Sequence, residues 1–273
     1  MTPASALFTP SGVRLRKRTE KPGRWNWLLL PGGPGIGSDS LFELADSMNV
    51  PGTVWMVDLP GDGDNLCPHL SDPYQKWPDV LLEATKALPH CIYLGHSTGG
   101  MYLLNTPELE SCVDGFVLVS SAPDARWMAH YKKTTEQQPL PGVDAAALVY
   151  AKEKTNPNLK EIAVASAEWN FTESGVEMGR GFLSRMPYNF EAVEWSDRYF
   201  DSTYVSKWWP KKLPVLILGG AEDRIVDQSL WLDPRFEGEH VLRKTISHAG
   251  HFPWLENPSE VSQAFKDFVS LFG

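Results

Sequence analysis

The sequence predicts an α/β chain: a mostly parallel sheet flanked by helices, with one all-helical insertion. Three observations carry that reading. Short apolar runs bounded by glycine and proline alternate with segments of helical periodicity, the pattern of buried parallel strands joined by helices. The rhythm breaks from about Pro123 to Trp209, where only helical patterns occur, and resumes at Pro214. Finally, 273 residues suffice for one large core with an inserted segment. The expected division is a core of 1–122 and 210–273, with 123–209 as a helical cap.

In chain order, residues 7–18 alternate around Ser11-Gly12 and predict a hairpin. Trp25–Leu30 is the next strand, followed by Pro31-Gly32-Gly33-Pro34-Gly35-Ile36-Gly37. A short helix is expected over Leu41–Met48. The strand Thr53–Asp58 then runs into Leu59-Pro60-Gly61-Asp62-Gly63. A helix over Tyr74–Leu88 leads to a strand at Cys91, and a further helical pattern ends before Pro107. Gly115–Val119 is another strand.

The insertion carries helical patterns over Ala145–Lys154, Leu159–Trp169, Gly175–Met186 and Phe190–Val205, with Asn158 three before Glu161 as a helix start. It holds 14 of the 31 aromatic residues in a third of the length; most read as the segment's own core, and some should face the active site if the segment is a cap. Strands return at Pro214–Gly219 and Val241–Ile246, and an amphipathic helix near Ser259–Leu271 closes the chain. Trp208-Trp209, at the exit of the insertion, is read as a hinge packed on the core.

Composition excludes several classes. A net charge of −9 argues against nucleic-acid or anionic-membrane surfaces, and the basic run Arg14–Lys21 reads as a solvated hairpin edge. Three cysteines without C-x-x-C indicate neither a disulfide framework nor a zinc site. No signal peptide or membrane-length apolar run is evident, so a cytoplasmic protein is expected. Asn170-Phe171-Thr172 is then a chance sequon. The glycine-rich turn after Leu30 mimics a dinucleotide fold, yet G-x-G-x-x-G cannot be laid on residues 32–37 and no P-loop lysine follows. No cofactor is expected. His248 and His251 lack a third ligand and helical spacing for a metal.

The chemistry centres on Gly95-His96-Ser97-Thr98-Gly99, which fits G-x-S-x-G between a buried strand and a helix. A serine presented on so tight a turn needs a strained backbone, with glycine two positions before and after because the neighbouring backbone leaves no room. A serine hydroxyl also needs a base, and the base an orienting acid. Two later strand ends offer them: Gly219-Gly220-Ala221-Glu222-Asp223 and Ser247-His248-Ala249-Gly250-His251. The residues alone leave His248 beside His251, and Glu222 and Asp124 beside Asp223.

Four pieces together resemble the α/β-hydrolase superfamily: the glycine-rich turn, D-x-P-G-x-G at Asp58–Gly63, the serine turn, and G-H-x-x-x-x-E-x-P at Gly250–Pro258. The resemblance covers about 1–122 and 210–273. It implies Ser97 as nucleophile, Asp223 as acid and His251 as base, with the Gly33 and Thr98 N–H groups as the oxyanion hole. Asp58 is then a structural turn residue.

Pro31-Gly32-Gly33-Pro34-Gly35 is similar to the oxyanion turn of proline iminopeptidases, although Pro31 replaces their histidine and the serine turn lacks their G-G-S-W-G form. Glu168, Glu173, Glu177, Glu191 and Glu194 are available to select a free amino terminus. The expected activity is a serine hydrolase cleaving a small or medium carboxyl ester or amide. A C–C bond hydrolase, an aminopeptidase and a slow-turnover ligand-binding protein stay open, and oligomeric state is not legible.

Overall fold

The buried runs of the sequence become strands, in a computed structural model that describes residues 6–67, 70 and 72–272. The parts of the expected core at 1–5, 68–69, 71 and 273 lie outside them. The chain opens with the hairpin β1 (Ala6–Phe8) and β2 (Arg14–Lys21), then β3 (Asn26–Leu30), α1 (Phe42–Ser47), β4 (Gly52–Asp58) and α2 (Trp77–Lys86). There follow β5 (Cys91–His96), α3 (Thr98–Leu104) and β6 (Gly115–Val119). Six helices come next: α4 (Trp127–Gln137), α5 (Pro141–Lys152), α6 (Asn156–Ala165), α7 (Ala167–Asn170), α8 (Val176–Ser184) and α9 (Phe190–Tyr199). The chain ends with β7 (Val215–Gly220), β8 (Val241–Ile246), α10 (Pro253–Glu256) and α11 (Pro258–Val269).

Among the described residues eight strands form one sheet in the order β1-β2-β4-β3-β5-β6-β7-β8. β1 and β2 pair antiparallel, as does β2 with β4, and every pairing from β4 through β8 is parallel. The central strands are buried on both faces, which is why they read as continuous apolar runs. Alternate residues of β3 separate accordingly: Leu28 and Leu30 join the core on one face, Trp27 and Leu29 the core on the other. Among the described residues no helix is long and apolar enough to cross a membrane.

Several expectations are corrected. The helix α4 was not expected; it buries none of its residues fully, and the Trp127/Tyr131 pair is too short a stripe to betray its period. The helix start expected at Asn158 falls earlier, because the Thr155 side chain caps the Asn158 N–H and Pro157 occupies the first turn. The run expected over Leu159–Trp169 divides at Ser166, which ends α6 and precedes α7. The last helix of the insertion stops at Tyr199, and Val205 instead bridges to Asp124 in extended pairing.

The basic run is a solvated edge only in its second half, where Lys17, Arg18 and Lys21 are exposed; its first half turns inward. Arg14 and Arg16 both pair with Asp58, whose side chain is fully buried, and β1 covers the outer side of β2. Arg16 also pairs with Asp39, and Arg18 with Asp46. Asp58 additionally accepts the Ser38 N–H at 2.7 Å, so it ties the turn after β3 to β2. At the exit of the insertion Trp208 is buried, donates its indole N–H to the Leu103 carbonyl at 2.9 Å and meets Phe116 edge-on.

Candidate active site

Ser97 stands between β5 and α3 at φ 50°, ψ −124°, a strained conformation for a residue with a side chain. Its N–H donates to the Val119 carbonyl on β6 at 2.8 Å, which anchors the turn to the sheet. The flanking glycines are sterically required. A Cβ on Gly95 would lie 2.4 Å from the Gly100 nitrogen, and one on Gly99 would lie 2.4 Å from the Pro31 carbonyl oxygen. The turn after β3 rests against this elbow, since a Cβ on Gly32 would come within 2.6 Å of the Ser97 Cβ. Gly33 adopts φ 113°, a region that favours glycine.

β7 and β8 are parallel neighbours, so the loops at their carboxyl ends meet. The Ala221 N–H donates to Ile246 O at 2.8 Å and the Glu222 N–H to Ala249 O at 2.9 Å. Those bonds set Asp223 beside His251. The His251 Nδ1 lies 3.1 and 3.0 Å from the two Asp223 carboxylate oxygens, and its Nε2 lies 3.0 Å from the Ser97 Oγ. Asp223 is further fixed by N–H donors of Ile225 and Val226 at 2.9 and 3.0 Å. With Nδ1–H donating to the carboxylate, Nε2 is left to accept the serine proton.

The rivals stand elsewhere. The His248 side chain is 93% exposed and faces Glu222 at 4.0 Å. Asp124 is engaged by Arg126 in a bidentate pair.

Four further residues support this set and were not singled out from sequence for that purpose. Buried His96 lies within 3.1 Å of the His251 carbonyl through Nε2, which therefore carries the proton. Burial, and then the neighbouring His251, hold the His96 pKa well below its ordinary value, so the ring is neutral. The Asn170 carbonyl accepts the His251 N–H at 2.8 Å. Glu256 accepts from the Gly250 N–H at 2.7 Å, and from the N–H and hydroxyl of Thr172 at 2.9 and 2.6 Å. One carboxylate thus ties the histidine loop to the helical segment. Asp62, by accepting the Gly35 N–H at 2.8 Å, braces the turn after β3. Only Glu256 left a trace in the sequence, as the glutamate of G-H-x-x-x-x-E-x-P; the other contacts are tertiary.

Ser97, His251, Gly33 and Thr98 open onto a cavity of about 310 Å³. Its remaining wall is mostly apolar and comes largely from the helical segment, with Trp127, Tyr131, Leu159, Ile162, Ala163 and Leu183. Among the described residues that line it, none is Asp, Glu, Lys or Arg. The five glutamates considered for amine recognition are not in that wall. Glu168 and Glu177 pair with Arg180, and Glu194 is taken by Tyr150 and Lys154. Among the described residues no group of three or more His, Cys, Asp or Glu could hold a metal ion.

A doubly flanked parallel sheet with a serine on the turn after its central strand defines the class of protein. Residues 27–264 match the model of the Alpha/beta hydrolase family, and the chain belongs to that family and is a hydrolase. It is similar to a pimeloyl-(acyl-carrier protein) methyl ester esterase of Xanthomonas oryzae pv. oryzae, 24% identical over 239 residues, covering 79% of this chain and 83% of that one. In structure it resembles an alpha/beta fold family hydrolase from Bacillus anthracis (TM-score 0.74, 16% identity, 97% and 98% of the two chains). It also resembles a proline iminopeptidase-related protein from Thermus thermophilus (TM-score 0.69, 20% identity, 97% of each chain).

Proposed function

We propose that the protein is a serine hydrolase that cleaves an uncharged, largely apolar carboxyl ester of small or medium size through an acyl-enzyme. The observation that carries this reading is the unbroken run of hydrogen bonds Ser97–His251–Asp223, opening onto a cavity whose wall bears no charged side chain. The segment between β6 and β7 acts as a cap that supplies that wall.

The reaction follows from the donors and acceptors. Ser97 Oγ attacks the ester carbonyl while His251 Nε2 takes its proton, and Asp223 stabilises the imidazolium that forms. The Gly33 and Thr98 N–H groups hold the oxyanion, a preorganised site at the start of α3. His251 then protonates the departing alcohol, and water, activated by the same imidazole, releases the acid.

The lining favours esters over aminoacyl amides. Burying an ammonium without a partner costs several kcal/mol, and none of the five glutamates lines the cavity, three of them being paired elsewhere. The Xanthomonas relative is itself an esterase. The test is a panel of p-nitrophenyl esters from acetyl to decanoyl, run beside aminoacyl p-nitroanilides. Turnover of intermediate acyl esters, absent in Ser97→Ala, is expected. Faster cleavage of the free-amine anilides than of any ester would contradict the reading.

A further inference from the structure

Three backbone segments meet behind the turn that carries Gly33. A Cβ on Gly35 would stand 2.4 Å from the Asn189 carbonyl oxygen. One on Gly63 would stand 2.7 Å from the Gly37 Cα and 3.3 Å from the Pro187 carbonyl oxygen. Segments 35–37, 61–63 and 187–189 therefore touch at distances that glycine alone permits, and Gly35, Gly37 and Gly63 all have positive φ.

Polar groups lock this junction. The Gly35 N–H donates to buried Asp62 at 2.8 Å, and the N–H groups of Gly37 and Gly63 also face that carboxyl. On its other side, the Gly35 carbonyl accepts the Asn189 N–H at 2.8 Å. Asn189 Nδ2 donates to the Gly61 carbonyl at 2.7 Å, and its Oδ1 accepts the Glu191 N–H at 3.1 Å, capping α9. Asp62 and Asn189 are 3% and 4% exposed, and neither lines the cavity. They reach the chemistry only through the turn.

We infer that Asp62 and Asn189 are positioning residues that clamp this turn from opposite sides, so that seating of the helical segment on Gly35 and Gly61 sets the orientation of the Gly33 N–H. The inference rests on the oxyanion role proposed for Gly33. A hydrogen bond to a forming oxyanion weakens steeply as its angle closes, so a small rotation here costs transition-state binding and leaves ground-state binding alone.

Two conservative variants separate this role from folding. Asn189→Asp keeps the oxygen that caps α9 and loses the donor to Gly61; Asp62→Asn keeps the size and leaves one acceptor oxygen, with an NH2 group in place of the second, to face the three glycine N–H groups. Active sites are counted by stoichiometric fluorophosphonate labelling, and kcat per labelled site is measured on p-nitrophenyl butyrate. Affinity for an alkyl trifluoromethyl ketone, which forms an oxyanion adduct, is measured alongside. The expected result is a fall in kcat per site of about 10- to 100-fold with KM nearly unchanged, and a matching loss of ketone affinity.

Unchanged kcat per site, a loss carried in KM, or unaltered ketone affinity would overturn the clamp while wild-type labelling at Ser97 left the hydrolase reading standing. Failure of the wild type itself to label would overturn both.

Discussion

At Ser97 the backbone holds a conformation that costs about 1–3 kcal/mol in a residue with a Cβ, and the structure shows it at φ 50°. Glycine carries no such cost, so Ser97→Gly should melt higher than wild type, by the equivalent of about 1 kcal/mol after the added unfolded-state freedom, while losing turnover. Calorimetry checks this; a lower melting temperature would mean that the turn is unstrained.

Asp62 carries a second consequence. Burial, with Asp58 beside it, pushes its pKa from 3.8 up to about 7, against the opposing N–H groups of Gly35, Gly37 and Gly63. Asp58, with its partners Arg14 and Arg16, and the phenols of Tyr74 and Tyr102 are the other titratable and charged groups whose fields reach it. An acid whose folded pKa is raised binds more protons folded than unfolded. Its contribution is therefore full below the unfolded pKa of 3.8 and is lost as pH rises through about 7. Asp62→Asn should remove that decline, a difference on the order of 4 kcal/mol across the interval, read by urea denaturation at a series of pH values. Parallel stability profiles for variant and wild type would refute it.

Among the elements, the strands were the most legible, because a strand buried on both faces writes an apolar run that needs no tertiary context to read. β3, β4, β6, β7 and β8 fall within a residue of their expected spans. Helices of the insertion were less legible for the opposite reason. α4 buries none of its residues fully, and its apolar side is only the pair Trp127 and Tyr131, one turn apart, which line the cavity.

The residues at 97, 223 and 251 were legible from turn chemistry and chain order, and they stand in hydrogen-bond contact. Asn189 and Asp62 were not, since each reads as an ordinary turn residue until segments distant in the chain are brought together. The cavity wall gives this scale its own prediction. Ala163 on α6 lines the cavity, so Ala163→Phe should fill part of it. Activity on acetyl esters should persist, while kcat/KM on octanoyl esters falls by about tenfold or more. Equal effects on both chain lengths would place the acyl group elsewhere.

Taken as a molecule, the chain uses its sheet to gather remote residues at one edge. The carboxyl ends of β5, β7 and β8 deliver Ser97, Asp223 and His251 from positions far apart in sequence, and the parallel pairing of β7 on β8 holds the last two together. The helices between β6 and β7 supply most of the wall of the cavity at that edge, and among the described residues that line it none is Asp, Glu, Lys or Arg. They are tied to the site through Asn170, Glu256 and Asn189. The position of the wall and the positions of Ser97, Asp223 and His251 are thus set by the same contacts.

The most direct measurement is the site of covalent labelling. Wild-type protein treated with an alkyl fluorophosphonate, digested and analysed by mass spectrometry, should carry one phosphonyl group per chain on the peptide containing Ser97. The labelling rate should fall by about 10³-fold or more in His251→Ala. Labelling at another serine, or a rate indifferent to the loss of the imidazole, would contradict an activated nucleophile at residue 97.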